Sequence, residues 1–176
     1  LNMVVNKGKT VFIGDTSVHE NPSANQLTEI AISSARVVRQ FGFDPKVAFV
    51  SHSTFGQPAT SSTKHIRDAV EILQDKKVDF QFDGDMQPDV ALNEEYKELY
   101  PFSGIVGNAN ILIMPDQHSA AISYKMMKSL GGAKVIGPLL IGLGQPIEIA
   151  PLRSSTSDIL NLASVAAYSA SVIDYD

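Results

Sequence analysis

Four short runs rich in apolar residues constrain this chain more than any other feature. They are Thr10–Gly14 (TVFIG), Lys46–Ser51 (KVAFVS), Val78–Gly84 (VDFQFDG) and Asn110–Pro115 (NILIMP). Each is followed by a polar loop and then by a segment of helical periodicity. Three of the runs are apolar almost throughout, the pattern of strands buried on both faces of a parallel sheet, and the third alternates. Between the first two runs, Leu27, Ile30, Ala31, Ala35 and Val38 recur at helical spacing. Ser23 there is an N-cap with Gln26 at the capping-box position, and Gly42 is the stop. A second helix is expected from Ser62 to Asp75, with Ile66, Val70 and Leu73 inside. Met86–Pro101 reads as mostly helical, with Pro88 near its start. Ser119–Gly132 reads as a helix closed by Gly131 and Gly132. A last helix begins at Ser155 or Thr156 and carries Asp158, Leu160, Leu162, Val165 and Ala167.

The pattern is less regular near the end. Lys134–Gly142 (KVIGPLLIG) is apolar but broken by Gly137 and Pro138, and Pro146–Ala150 (PIEIA) is expected to form a short strand. The first strand is expected to start by Thr10. Alternation of strand and helix predicts an α/β fold, a three-layer α/β/α sandwich with a mostly parallel sheet. With 176 residues, one domain over 1–176 is expected.

Composition narrows the function classes. Apolar residues make up 44%, which fits a packed core. There is no cysteine, so disulfides, thiolate metal sites and a cysteine nucleophile are excluded. The net charge of −5 comes without the basic stripe expected of a nucleic-acid binder. No apolar run reaches the roughly 18–20 residues of a membrane span, and the opening LNMVVNKGKT is too polar for a secretory leader. The expected compartment is the cytoplasm.

In such a sheet, ligands bind beyond the carboxyl ends of the strands. Three polar loops leave those ends: Ser51–Gln57, Asp83–Asp89 and Pro115–Ser119. The first and third can offer hydroxyls and backbone N–H groups near helix N-termini, which suits an anion. The same residues are also ordinary turn and cap formers. Asp83, Asp85 and Asp89 are close enough in sequence for a hard cation, but the calcium-loop pattern is absent. His19, His52, His65 and His118 show no zinc spacing, and no phosphate-loop, dinucleotide or GxSxG motif is present. Met126, Met127 and the phenylalanines are expected in the core.

Several ordered motifs carry a resemblance that runs from about Thr10 to Ala170: KVAFVSHSTFGQ, DGDMQPDVAL, NANILIMPDQHSAAISYKMMKSLGGAKVIGPLLIGLGQPI and SDILNLASVAA. Together they resemble the phosphate acetyltransferase/butyryltransferase family, whose sheet is of the isocitrate/isopropylmalate dehydrogenase-like type. FIGDTSVHENPSANQLTEIAISSA and DGDMQPDVALN look most like the C-terminal phosphotransacetylase-like domain of large bacterial NADP-dependent malic enzymes. The resemblance implies a domain cut from a larger protein. NADP, a divalent metal and the conversion of malate to pyruvate and carbon dioxide would belong to a region that precedes it. For this domain itself the resemblance implies no cofactor, no resident metal, acetyl-CoA as an effector, and assembly as a homodimer or larger homo-oligomer.

The family's active members carry a Ser-Arg pair before the last helix, with an aspartate beyond it. Ungapped comparison of GLGQPIEIAPLRSSTSDILN puts Pro151 at the serine, Leu152 at the arginine and Asp158 at the aspartate, with Arg153 one position late. Proline has no hydroxyl and no N–H, and leucine cannot stabilise a developing oxyanion. No catalytic residue is therefore assigned, and an inactive regulatory and oligomerisation domain is expected. An active enzyme exchanging acetyl between CoA and phosphate is one alternative; a structural dimerisation module with an empty cleft is the other. Residues carried over as cleft contacts are Ser51, Ser53 and Thr54 in the first loop, and Asp85 and Gln87 in the second. Asn108, Asn110, Asp116, Gln117 and Lys125 flank the third, and Arg153 and Asp158 come from the altered terminal motif. On the last helix, Ile159, Leu160, Leu162 and Val165 form a stripe that is either core or a subunit contact.

Overall fold

The computed structural model describes residues 1–58 and 60–172. Six strands form one sheet: β1 (Asn2–Asn6), β2 (Lys9–Gly14), β3 (Lys46–Val50), β4 (Gln81–Met86), β5 (Ile111–Ile113) and β6 (Lys134–Ile136). Their order is β4-β3-β5-β2-β1-β6. The pairs β4–β3, β3–β5 and β5–β2 are parallel, whereas β1 is antiparallel to both its neighbours. The sheet is thus mostly parallel, as expected. The helices are α1 (Ala24–Gln40), α2 (Lys64–Lys76), α3 (Pro88–Leu92), α4 (Glu94–Lys97), α5 (Gln117–Gly131) and α6 (Thr156–Val172).

Alternation along the central strands separates two apolar layers. Phe12, Val47, Phe49, Ile111 and Ile113 pack with Leu27, Ala31, Ala35 and Val38 of α1, Ile66, Ala69 and Leu73 of α2, and Leu162 of α6. Ile13, Ala48, Val50 and Leu112 pack on the other side with Val90 and Ala91 of α3 and Ala120 of α5. Neighbouring strand residues point to opposite faces, so this partition is what a sheet covered on both sides requires. Phe12 is fully buried and meets the rings of Phe41 and Phe43. Tyr168 of α6 stacks on Phe41 and donates its hydroxyl to Gln40 O at 2.7 Å, which fastens α6 to the end of α1.

Local signals explain most boundaries. Ser23 and Gln26 form the full capping box at the start of α1. Asp116 caps α5, and Gly132 ends it with φ +64°, a conformation that favours glycine. Four expectations are corrected. A strand, β1, precedes Thr10: Lys7 and Gly8, both at positive φ, make a two-residue turn that pairs Asn6 with Lys9. Met86–Pro101 is not one helix, because Asn93 adopts an extended backbone and its side chain caps α4 by accepting from Glu95 N. Pro146–Ala150 forms no strand; it contributes one isolated bridge, Leu139 to Glu148. Met126 is not core but 53% exposed, while Met127 packs against the second layer. The expected α6 stripe splits: Leu162 is buried and Val165 packs on the core, but Ile159 and Leu160 face outward.

Candidate functional site

The first two cleft loops are bolted together beneath the surface. Asp85, at the end of β4, is fully buried. Its Oδ2 accepts a very short hydrogen bond from Ser53 Oγ and one of 3.3 Å from Ser51 Oγ, and its Oδ1 accepts from Gly56 N at 2.9 Å. Arg67 of α2 lies 3.6 Å from the same carboxylate and also donates to Thr63 Oγ1 at 2.6 Å. Thr54 Oγ1 accepts from Gln87 N at 3.2 Å. The loops meet as expected, but the side chains of Ser51, Ser53, Thr54 and Asp85 turn inward. They brace the two loops against each other: Ser53 and Asp85 have no exposed surface, and Thr54 is 6% exposed.

The third loop behaves similarly. Asp116 Oδ1 accepts from Ser119 N at 2.7 Å and from Ser119 Oγ at 3.0 Å. The carboxylate occupies the place at the α5 N-terminus where an external anion would bind. Gln117 N donates to Glu20 O at 3.0 Å, joining this loop to the one after β2. Asp116→Ala should therefore lower stability by about 1 kcal/mol, as for other lost N-caps; chemical denaturation measures this. Asn108 and Asn110 precede β5 and lie at the amino end of the sheet, away from the cleft. Asn110 there accepts from Lys46 N and donates to Asp44 O, both at 2.8 Å.

Lys125, Arg153 and Asp158 do come together. They line a cleft of about 230 Å³ between α5, β6 and the start of α6, with Lys128, Pro138, Pro151 and Asn161. Among the described residues, Lys125, Lys128 and Arg153 make no ion pair. Asp158 is the one carboxylate lining the cleft, and it is engaged with Ser155: Oδ2 accepts from Ser155 N at 3.0 Å and from Ser155 Oγ at 2.8 Å. These hydrogen bonds, backbone first, hold its carboxyl below the ordinary range, with Lys128 and Lys134 adding to the effect. Three cations against one occupied carboxylate make this cleft electropositive. Leu152, by contrast, is fully exposed and lines no part of it.

Pro138 also walls a larger groove of about 490 Å³ between α1 and the segment Pro138–Leu143. Leu1, Val18, Ile30, Leu139, Ile141 and Leu143 give it an apolar lining. Asp15 and His19 sit at one edge, with Asp15 Oδ2 2.9 Å from His19 Nδ1. Burial pushes the Asp15 carboxyl up; hydrogen bonds from the Ser17, His19 and Val18 N–H groups and the His19 ring outweigh it and leave the group below its ordinary value. Sequence reasoning missed this groove, together with Arg67 and Lys128. Lys128 was legible as the i+3 neighbour of Lys125, and Asp15 as an Asx-turn residue closing a strand.

The phosphate acetyl/butaryl transferase family model matches residues 1–167. The chain belongs to this family. It is 46% identical over 164 residues to an NADP-dependent malic enzyme of Rhizobium meliloti (strain 1021), covering 93% of this chain and 22% of that protein. It is 34% identical over 157 residues to a phosphate acetyltransferase of Clostridium acetobutylicum, covering 88% of this chain and 47% of that protein. The EutD phosphotransacetylase from Staphylococcus aureus superposes with a TM-score of 0.89 at 30% identity, over 96% of this chain and 53% of that one. The chain therefore spans about a fifth of the malic enzyme and about half of the phosphotransacetylases it matches. Among the described residues of this family member, no helix is long and apolar enough to cross a membrane.

Proposed function

We propose that this chain is a regulatory and oligomerisation domain of an NADP-dependent malic enzyme, binding acetyl-CoA as an effector and lacking acetyl exchange. The observation that carries the reading is the electropositive cleft of Lys125, Lys128 and Arg153, whose rim holds Pro151 where active relatives are expected to hold a serine. Unpaired cations suit the phosphates of a CoA thioester. The adjoining apolar groove, sharing Pro138, suits its less polar arm. With Pro151 and Leu152 at the positions of the Ser-Arg pair, the same cleft binds without stabilising a transition state. An exposed stripe on α5 (Ile122, Met126, Leu130) and Ile159 and Leu160 on α6 support self-association. NADP and the divalent metal serve the malic enzyme region, outside this chain.

Calorimetry with acetyl-CoA tests the effector claim; absence of heat at millimolar ligand removes it. The competing reading, an active acetyltransferase, is favoured by Arg153 and Ser154 lining the same cleft. Incubation with acetyl phosphate and CoA separates the two. The expected result is no acetyl-CoA above background, and turnover that disappears in Arg153→Ala would establish the competitor. Light scattering tests self-association, against which a strict monomer would count.

A further inference from the structure

One segment, Gly137–Glu148, walls three cavities. Pro138–Ile141 and Leu143 line the apolar groove, Gly137 and Pro138 line the electropositive cleft, and Leu139–Leu143 with Gln145, Pro146 and Glu148 line a smaller cavity of about 50 Å³ against α1 and α6. The segment is outside the sheet. Its ties at the start are Leu139 N to Leu1 O at 2.7 Å and Leu1 N to Leu139 O at 3.1 Å. Its tie at the end is the bridge between Leu139 and Glu148.

Glu148 is the one charged side chain lining the smaller cavity, among Val37 and Gln40 of α1, Phe41 just beyond it, and Val165 and Ser169 of α6. Its Oε2 is buried without a hydrogen-bond partner. Among the described residues, no side-chain cation makes an ion pair with it. An ionised carboxylate with an unpaired oxygen in such a place costs more than the neutral acid.

We propose that Glu148 is a proton-operated latch on this strap: neutral, it seats the strap and fixes the wall shared by all three cavities; ionised, it leaves the strap slack. Burial moves its carboxyl up to about 7, against the Leu140 N–H, which favours the charged form. The sign follows from linkage. The seated strap holds a proton that the released strap gives up, so the latch is fully effective below the ordinary value of 4.5 and is lost as pH rises through about 7. The proposal does not depend on which ligand the cavities take.

Hydrogen exchange of the Leu139 and Leu140 amides, corrected for intrinsic rates and referenced to Val47 and Ala48 in β3, tests it at pH 5.5 and 8.5. Protection should fall about tenfold at the higher pH in the wild type, a discounted share of what the linkage allows. In Glu148→Gln, which mimics the neutral acid, protection should stay at the low-pH level at both pH values. Constant protection in the wild type, or the same fall in Glu148→Gln, would overturn the proposal. Should that variant not fold, carboxyl carbon NMR of the wild type decides: a Glu148 midpoint above 6 supports the latch, and one near 4.5 ends it.

Discussion

Asp85→Ala should cost about 3 kcal/mol, the lower part of the range for breaking a buried charged network. The side chain is fully buried and serves as acceptor for Ser51, Ser53 and Gly56 while facing Arg67. Removing it orphans the Gly56 N–H and leaves two hydroxyls to share fewer acceptors, each a desolvated donor. Arg67 softens the loss, because its side chain is 32% exposed and keeps Thr63 Oγ1 and Thr60 O as partners. Neighbouring geometry prevents collapse into the space. A Cβ on Gly84 would stand 2.7 Å from both Cβ and O of Phe49, so β4 already lies as close to β3 as it can. Urea denaturation should move the midpoint down by about 1–2 M with an unchanged slope. Asp85→Asn keeps one acceptor oxygen and should lose roughly half as much. A loss below about 1 kcal/mol for the alanine would mean that the two loops are held by their backbones instead.

That residue also marks the limit of reading this chain from sequence. The central strands were legible because Val47–Val50 and Ile111–Ile113 are buried on both faces, and burial leaves a composition signal. The capping box at Ser23 and the cap at Asp116 were legible because their partners are local. β1 was not: its two valines lie between asparagines, and one of these, Asn2, is itself buried, which no hydropathy pattern announces. The direction of a polar side chain at a strand end is equally silent. Asp85 has the spacing of a ligand or a metal carboxylate, and the fold uses it as an internal acceptor. Arg153 and Asp158 entered through family resemblance, whereas Asp15 and His19, inside another of the resembling stretches, were not assigned to a site and meet across a single turn. Glu148 is legible from neither, since its character comes from the walls that α1 and α6 place around it.

The electropositive cleft gives the largest expected effect on binding. Each charge-assisted hydrogen bond to a phosphate contributes about 1.5–3 kcal/mol. Lys128 and Arg153 both line the cleft, and neither makes an ion pair among the described residues, so a ligand has no such pair to break when it arrives. The double change Lys128→Ala with Arg153→Ala should therefore weaken acetyl-CoA binding by about 100-fold, while thermal stability changes little, as is usual for exposed sites. Salt should mimic the mutations. Exposed charges are screened over about 8 Å at physiological ionic strength, so affinity should fall as salt rises, and fall less steeply in the double variant. Lys7→Ala, on the β1–β2 turn and outside the cleft lining, is the control and should bind as the wild type does. Equal affinity in the double variant and the control, measured by calorimetry at two salt concentrations, would place the thioester elsewhere. The apolar groove beside Asp15 and His19 would then be the site to dissect, since it shares only Pro138 with the charged cleft.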